Sequence, residues 1–339
     1  MAEVSEADFL LATRGRAEDL GAWVVGAIFD AGSRLAFALA DGTVRIGGME
    51  GEWAGVTAHD GSILDACADM KDGWLTGGDD GKLMRTAPDG TTSEVADYKG
   101  KWVDHVAAHP AGLRAAAVGK ALHLLGPGGP LKTLTHVSSV GGIAFDAKGK
   151  RIAASHYNGA SLWFAAAKED KPRSLEWKGS HHAIAFSPDG THVVTAMQEP
   201  SLHGWRLTDG QHMRMSGYPG KTRSLAFTAR GRWLATSGAE SVVLWPFFGG
   251  GPMGKAPTEL AGGDEVLCSA VACHPQHEVV AAGFGDGLVL MAEIASGKVV
   301  PVAPPSGSPV SALSWSPNGA LLAFGTEAGR AGLVDLARR

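Results

Sequence analysis

The residues Cys268, Cys273, His274 and His277 have the types and crowding of a metal knot, in the order C-x4-C-H-x2-H. A compact tetrahedral site needs all its ligands to converge at about 2.0–2.3 Å from one ion. The stretch from Cys268 to Cys273 reads as a strand, and alternation along a strand sends side chains five apart to opposite faces. Metal is therefore rejected here in favour of two buried thiols followed by a histidine in a turn. His181 and His182 are adjacent at the start of another strand-like run, so they too face opposite ways. They read as one packed and one solvent-facing ring. GGGPMGK (249–255) is Gly-rich and ends in Lys, as phosphate loops do. It lacks the following Ser or Thr and any helical continuation, so it reads as a flexible surface loop. No G-x-S-x-G, H-E-x-x-H, Walker or dinucleotide fingerprint occurs. No catalytic residue, metal or cofactor is assigned.

These residues sit on short elements. The 339-residue chain has 48 glycines and 17 prolines, well above an average of about 12% for the two together, yet it is 45% hydrophobic. Long helices and disorder are both disfavoured, and a core can form. Net charge is −5 and there is no basic run, which argues against nucleic acid as a partner. No apolar stretch is long enough to span a bilayer, so no membrane insertion is expected. The first residues are acidic (Glu3, Glu6, Asp8), with no basic residue before Arg14. That is the reverse of a secretory signal. With only three cysteines, the expected setting is cytoplasmic, with reduced thiols. The Ala- and Gly-rich composition is compatible with a GC-rich bacterial genome.

A repeat of about forty residues organises the whole chain. Each copy holds an apolar run, a turn, a second apolar run, a Gly turn and a third apolar run. The last residue of the second turn falls at Gly42, Gly81, Gly119, Gly159, Pro200, Glu240, Gly287 and Gly329. The long interval before Gly287 holds the insertion 247–257. A fourth strand-like run precedes each next copy. The repeats lie near 21–59, 60–98, 100–136, 137–177, 178–217, 218–262, 263–303 and 307–336. Four short antiparallel strands per repeat predict an all-β propeller in a single domain, with eight blades, or seven blades plus an irregular unit. The last repeat lacks a fourth strand. The spare run at 8–13 is expected to supply it and close the ring; a frayed tail is the alternative.

The chain resembles the WD40 repeat family of β-propellers from Ala22 to Leu336. The resemblance is carried by FSPDG (186–190), WSPNG (315–319), AHP (108–110) and CHP (273–275), by Trp163, Trp205 and Trp245, and by His59 and His136 before first strands. Asp41, Asp80, Asn158 and Asp286 stand where the family places its turn Asp. The resemblance implies a stabilising network of His, Ser or Thr, Asp and Trp. The fourth repeat nearly has it in His136, Ser155, Asn158 and Trp163. The second has His59, Thr76 and Asp80, with Arg85 in place of Trp. Other repeats lack most of it, which marks a diverged member.

The resemblance also implies a partner-binding face on the loops that enter first strands. Those loops carry Lys101, Trp102, Asp104, His182, Lys221, Arg223, Asp264 and Glu265. Trp102 is either the centre of an interface or a core residue at a blade junction. The leading expectation is a non-catalytic scaffold that presents this rim to another protein. A second is ligand binding or hydrolysis in the central channel, if Asp104, His182 and Arg223 converge. A third is metal binding through the 13 scattered histidines.

Overall fold

The apolar runs form strands, as the repeated run-and-turn pattern predicts. The computed structural model describes residues 6–262 and 265–338. The first repeat shows the plan: Val24–Phe29, Leu35–Leu39, Thr43–Gly47 and Ala54–Thr57 pair antiparallel in that order. Leu35–Leu39 is buried at every position, because neighbouring sheets cover both of its faces. The outer strand Ala54–Thr57 is mostly exposed. The tight turn into the third strand puts Gly42 at φ 85°, and the other five glycines at this repeat position also have positive φ. Only glycine adopts that region without a steric penalty.

The strands assemble into seven hydrogen-bonded sheets, six of four strands and one of six. The blade count is thus seven rather than the expected eight, because the fourth and fifth repeats share the six-stranded sheet. Its order is Gly142–Phe145, Arg151–Phe164, Arg173–Phe186, His192–Met197, Ser201–Arg206, His212–Ser216. Arg151–Phe164 and Arg173–Phe186 are each 14 residues long and each serve two ladders. Elsewhere a loop separates an outer strand from the next first strand. Here the chain runs straight through, and three residues (Trp177, Lys178, Gly179) bulge opposite Asn158.

Closure of the ring differs from expectation by a few residues. The run expected as a strand at 8–13 instead contributes to a short helix, Leu10–Arg14. Leu and Ala favour a helix, and Phe9 and Leu11 are buried, Leu11 against the core of the last two repeats. The closing strand is Gly15–Asp19, paired antiparallel with Arg330–Asp335 from Gly15↔Val334 to Asp19↔Arg330. Gly15 marks the junction: a Cβ there would lie 2.8 Å from the Leu333 carbonyl oxygen. The polar sequence GRAED suits an outer edge. At the axis, Ser311 Oγ donates to the Val24 carbonyl at 2.7 Å and joins the last repeat to the first.

Blades are also tied at their first turns. Asp30 accepts from Gly73 N of the next repeat at 3.1 Å. Asp69 takes Arg85 of its own repeat and Arg114 of the next. His109 and His274, at the same repeat position, reach the next repeat at the carbonyls of Ala147 and Gly319 (both 3.3 Å).

The insertion read as a flexible loop is a built structure. Phe247 is buried against Phe227 and His192. The Lys255 ammonium donates to the carbonyls of Phe248, Gly249 and Gly251.

Candidate interaction face

The first strands present the axis, and a recurring β-bulge decides how. In five repeats the register slips just after the first buried residue, at Val24/Gly26, Ile63/Asp65, His181/Ile184, Cys268/Ala270 and Val310/Ala312. A bulge adds one step and re-aims a side chain. Val24, Ala27 and Phe29 therefore meet one core cluster.

Cys268, Val271 and Cys273 meet the equivalent cluster between the sixth and seventh repeats. The expectation that the two sulfurs face opposite ways is thereby corrected. Burial pushes both thiols up to about 12, and Cys273 Sγ donates to the Ala226 carbonyl at 3.4 Å. His274 Nδ1 accepts from the backbone N–H groups of Gln276 and His277, which leaves the proton on Nε2 for Gly319. Among the described residues, no group of three or more His, Cys, Asp or Glu side chains is placed to hold a metal ion.

The residue carried by the bulge is Val25, Leu64, His182, Ser269 or Ser311 in these five repeats. Asp104, Gly141 and Arg223 follow the first buried residue in the other three, whose ladders show no shift. Val25, Leu64, Ser269 and Ser311 line an axial cavity of about 670 Å³, with Trp23 and Arg223 also contributing to its wall. Arg223 faces Glu327 at 3.6 Å. His182 donates through Nε2 to Gln198 Oε1 at 3.0 Å, and Lys221 donates to the same oxygen at 2.9 Å. Burial, then the Lys221 charge, holds His182 below the usual imidazole range. Asp104 Oδ2 accepts from Gly119 N at 3.4 Å. Asp104, His182 and Arg223 thus each have a separate partner, and no hydrogen bond or ion pair joins them.

Loops into first strands and second turns lie at the same end of antiparallel blades. Trp102 is 60% exposed there, so it is not a core residue, and Lys101 beside it is exposed. Trp23 and Leu267 occupy the same repeat position as Trp102, one residue before the first buried position, and both are exposed. Val137 and Tyr157 complete an apolar set on this end. Ser138 Oγ accepts from Tyr157 N at 3.0 Å and ties their two loops together. Asp264 lies outside the described residues.

The internal network joins three of its four members in the second repeat and is rewired in others. His59 accepts from Thr76 Oγ1 at 2.8 Å through Nε2 and donates to Asp80 Oδ1 at 3.0 Å through Nδ1. Arg85, in the Trp position, turns to Asp69 and Asp72. In the fourth repeat Trp163 Nε1 donates to His136 Nε2 at 3.1 Å. Ser155 and Asn158 do not join it. Ser155 Oγ donates to the His182 carbonyl, and Asn158 Oδ1 accepts from Gly179 N. The fused sheet draws both toward the neighbouring repeat.

Two further networks escaped the sequence reading. His181 bonds Thr195 Oγ1 at 2.7 Å. Tyr218 OH sits 2.6 Å from both Thr236 Oγ1 and Trp245 Nε1. Tyr218 precedes its second turn by the same interval as His59, so repeat register was the signal.

A family model described as "Anaphase-promoting complex subunit 4 WD40 domain" matches residues 271–338. A curated rat protein, "Telomerase protein component 1" of Rattus norvegicus, is 29% identical over 204 residues, or 58% of this chain. The chain spans 7% of the length of that relative. Among solved structures, the computationally designed Ika8 protein superposes with a TM-score of 0.77 at 16% identity, covering 94% of this chain and 98% of that one. At that identity the likeness shows the fold alone.

Proposed function

We propose that this chain, a WD40-type β-propeller, is a non-catalytic scaffold that presents the loops entering its first strands to a protein partner. One observation carries the proposal: large apolar side chains stand exposed on the loops of one end, among them Trp23, Trp102, Val137 and Tyr157. Large apolar side chains exposed on one face favour it as an interaction site, and Trp is a preferred anchor of such sites. Lys101, Asp104, His182 and Arg223 add charge and hydrogen-bonding groups to the same end. The separate partners of Asp104, His182 and Arg223 support a platform over a catalytic centre. Cys67, Cys268 and Cys273 are unpaired, which supports a reducing, cytoplasmic setting.

The test is affinity capture from native extract with the wild-type chain and with Trp23→Ala plus Trp102→Ala. The expected result is a stoichiometric partner lost by about tenfold or more in the double variant, with an unchanged melting curve. Equal capture by both chains removes the rim from the interface.

A further inference from the structure

We propose that the opposite end of the ring carries a second docking surface, on the insertion of the sixth repeat, that fits an acidic peptide segment bearing an apolar side chain. This rests on a different face and different residues from the scaffold reading above. The loop connects a third strand, Ser241–Pro246, to a fourth, Thr258–Gly262. It therefore lies at the end away from Trp102.

The loop is shaped to display side chains. Phe247 is buried beneath it, and Gly249, Gly250, Gly251 and Gly254 all take positive φ. The Lys255 ammonium gathers three loop carbonyls around itself. On this base Phe248 (41%) and Met253 (49%) are exposed.

Cations surround the aromatic ring. The Lys255 ammonium lies 4.9 Å and the Arg232 guanidinium 5.6 Å from the Phe248 centroid. Arg230, in the same turn as Arg232, is exposed. Among the described residues, none of these three has a carboxylate within 4.0 Å. The nearby Asp209 is engaged by Arg206. An unneutralised positive patch on a chain of net charge −5 is complementary to acidic residues. Phe248, flanked by two of those charges, and Met253 on the same loop supply the apolar contact. Three cations fall short of the roughly four to eight that hold a protein at an anionic membrane, and no basic stripe suits nucleic acid. An acidic protein segment is the occupant that matches both the charge and the apolar pair.

The experiment titrates the full chain with a short fluorescein-labelled peptide alternating Asp or Glu with Phe and Leu. A control peptide carries Lys for every acid. The expected result is binding of the acidic peptide alone, weakened about tenfold between about 50 and 300 mM salt. Phe248→Ala, and Arg230→Glu with Arg232→Glu, each weaken it by about tenfold. Met253→Ser, at an exposed position, weakens it about threefold with an unchanged melting curve and guards against a collapsed loop in the first variant. Trp102→Ala leaves it unchanged. Any of these outcomes overturns the proposal: no binding of the acidic peptide, equal binding of the Lys control, unchanged affinity in the Phe248 and Met253 variants, or co-sedimentation of the chain with phosphatidylserine vesicles. Loss through Trp102→Ala alone also overturns it, and leaves the scaffold reading standing.

Discussion

Two sheets depart from the rule of one repeat per sheet, and they do so in opposite ways. The closing sheet takes its outer strand, Gly15–Asp19, from the far end of the chain. The fused sheet omits a connecting loop and runs two adjacent repeats into one ladder. The first solution is apolar: Phe9 and Leu11 bury beside the joint, and the last repeat packs through Val310, Phe324 and Val334. The second is aromatic and polar. Trp177, thrown out by the bulge, stacks on His203 at 4.0 Å and 13°. His203 Nε2 meets His212 Nδ1 at 3.0 Å, while His203 Nδ1 is buried without a partner. A joint made across distant sequence rests on burial. A joint made within continuous sequence stacks rings around a buried, unpartnered imidazole nitrogen, where the closing sheet leaves only a small hydroxyl, Ser314 Oγ, unpartnered. Such a group costs about 1–3 kcal/mol.

The largest effect that would break this contrast is deletion of residues 1–19. Phe9 and Leu11 each contribute about 2 kcal/mol by burial, and the Gly15–Asp19 ladder adds to that. A loss of about 5 kcal/mol in denaturant unfolding is expected. A change under about 1 kcal/mol would mean that the ring closes without the strand.

Acid should separate the two joints next. Burial holds His136 at about 4 and His203 at about 3, below an unfolded value near 6.5. A histidine with a depressed folded pKa supports stability fully above about pH 6.5 and withdraws that support as pH falls toward its folded value. Neither the closing strand nor its three partners contain histidine. Amide exchange corrected for its intrinsic pH dependence should therefore loosen 151–206 before 310–335 between pH 6.5 and about 4. His203→Phe should flatten the slope, at about 1.4 kcal/mol per pKa unit removed. Uniform loosening of both regions would erase the distinction.

The smallest expected effect is at the axis. Ser311→Ala removes one hydrogen bond to Val24 and should cost about 1 kcal/mol. An equal change on replacing Ser155, which bridges the fused repeats through the His182 carbonyl, would show that the two joints share this element.

Much of the fold was legible because turn chemistry repeats. The six glycines at the second turn all adopt the positive φ that their spacing implied. The fusion of the fourth and fifth repeats was not legible. It depends on how Trp177, Lys178 and Gly179 pass from one ladder to the next, and local pattern gives no length for a missing loop. The helix Leu10–Arg14 displaced an expected strand because Leu11 found a core to enter. That is a tertiary fact.

At the candidate face, Trp102 was visible, whereas Trp23 and Leu267 were equally visible by register and went unread. The first-turn ties of Asp30, Asp69 and His109 were hidden for a different reason. Their partners lie in the next repeat, at a separation that short-range reading does not cover.

The bulge in the first strand divides labour along a few residues. Positions such as Val24, Ala27 and Phe29 are committed to packing, so substitutions there disturb the neighbouring blade. The bulged position stands outside that cluster, and it holds Val, Leu, His and Ser in the five repeats that have it. Each of these five repeats therefore has one site at which mutation can change what the axis displays, at the cost of an inter-repeat tie where the residue is Ser269 or Ser311. A lineage built on this chain could vary its binding chemistry in single steps at those positions.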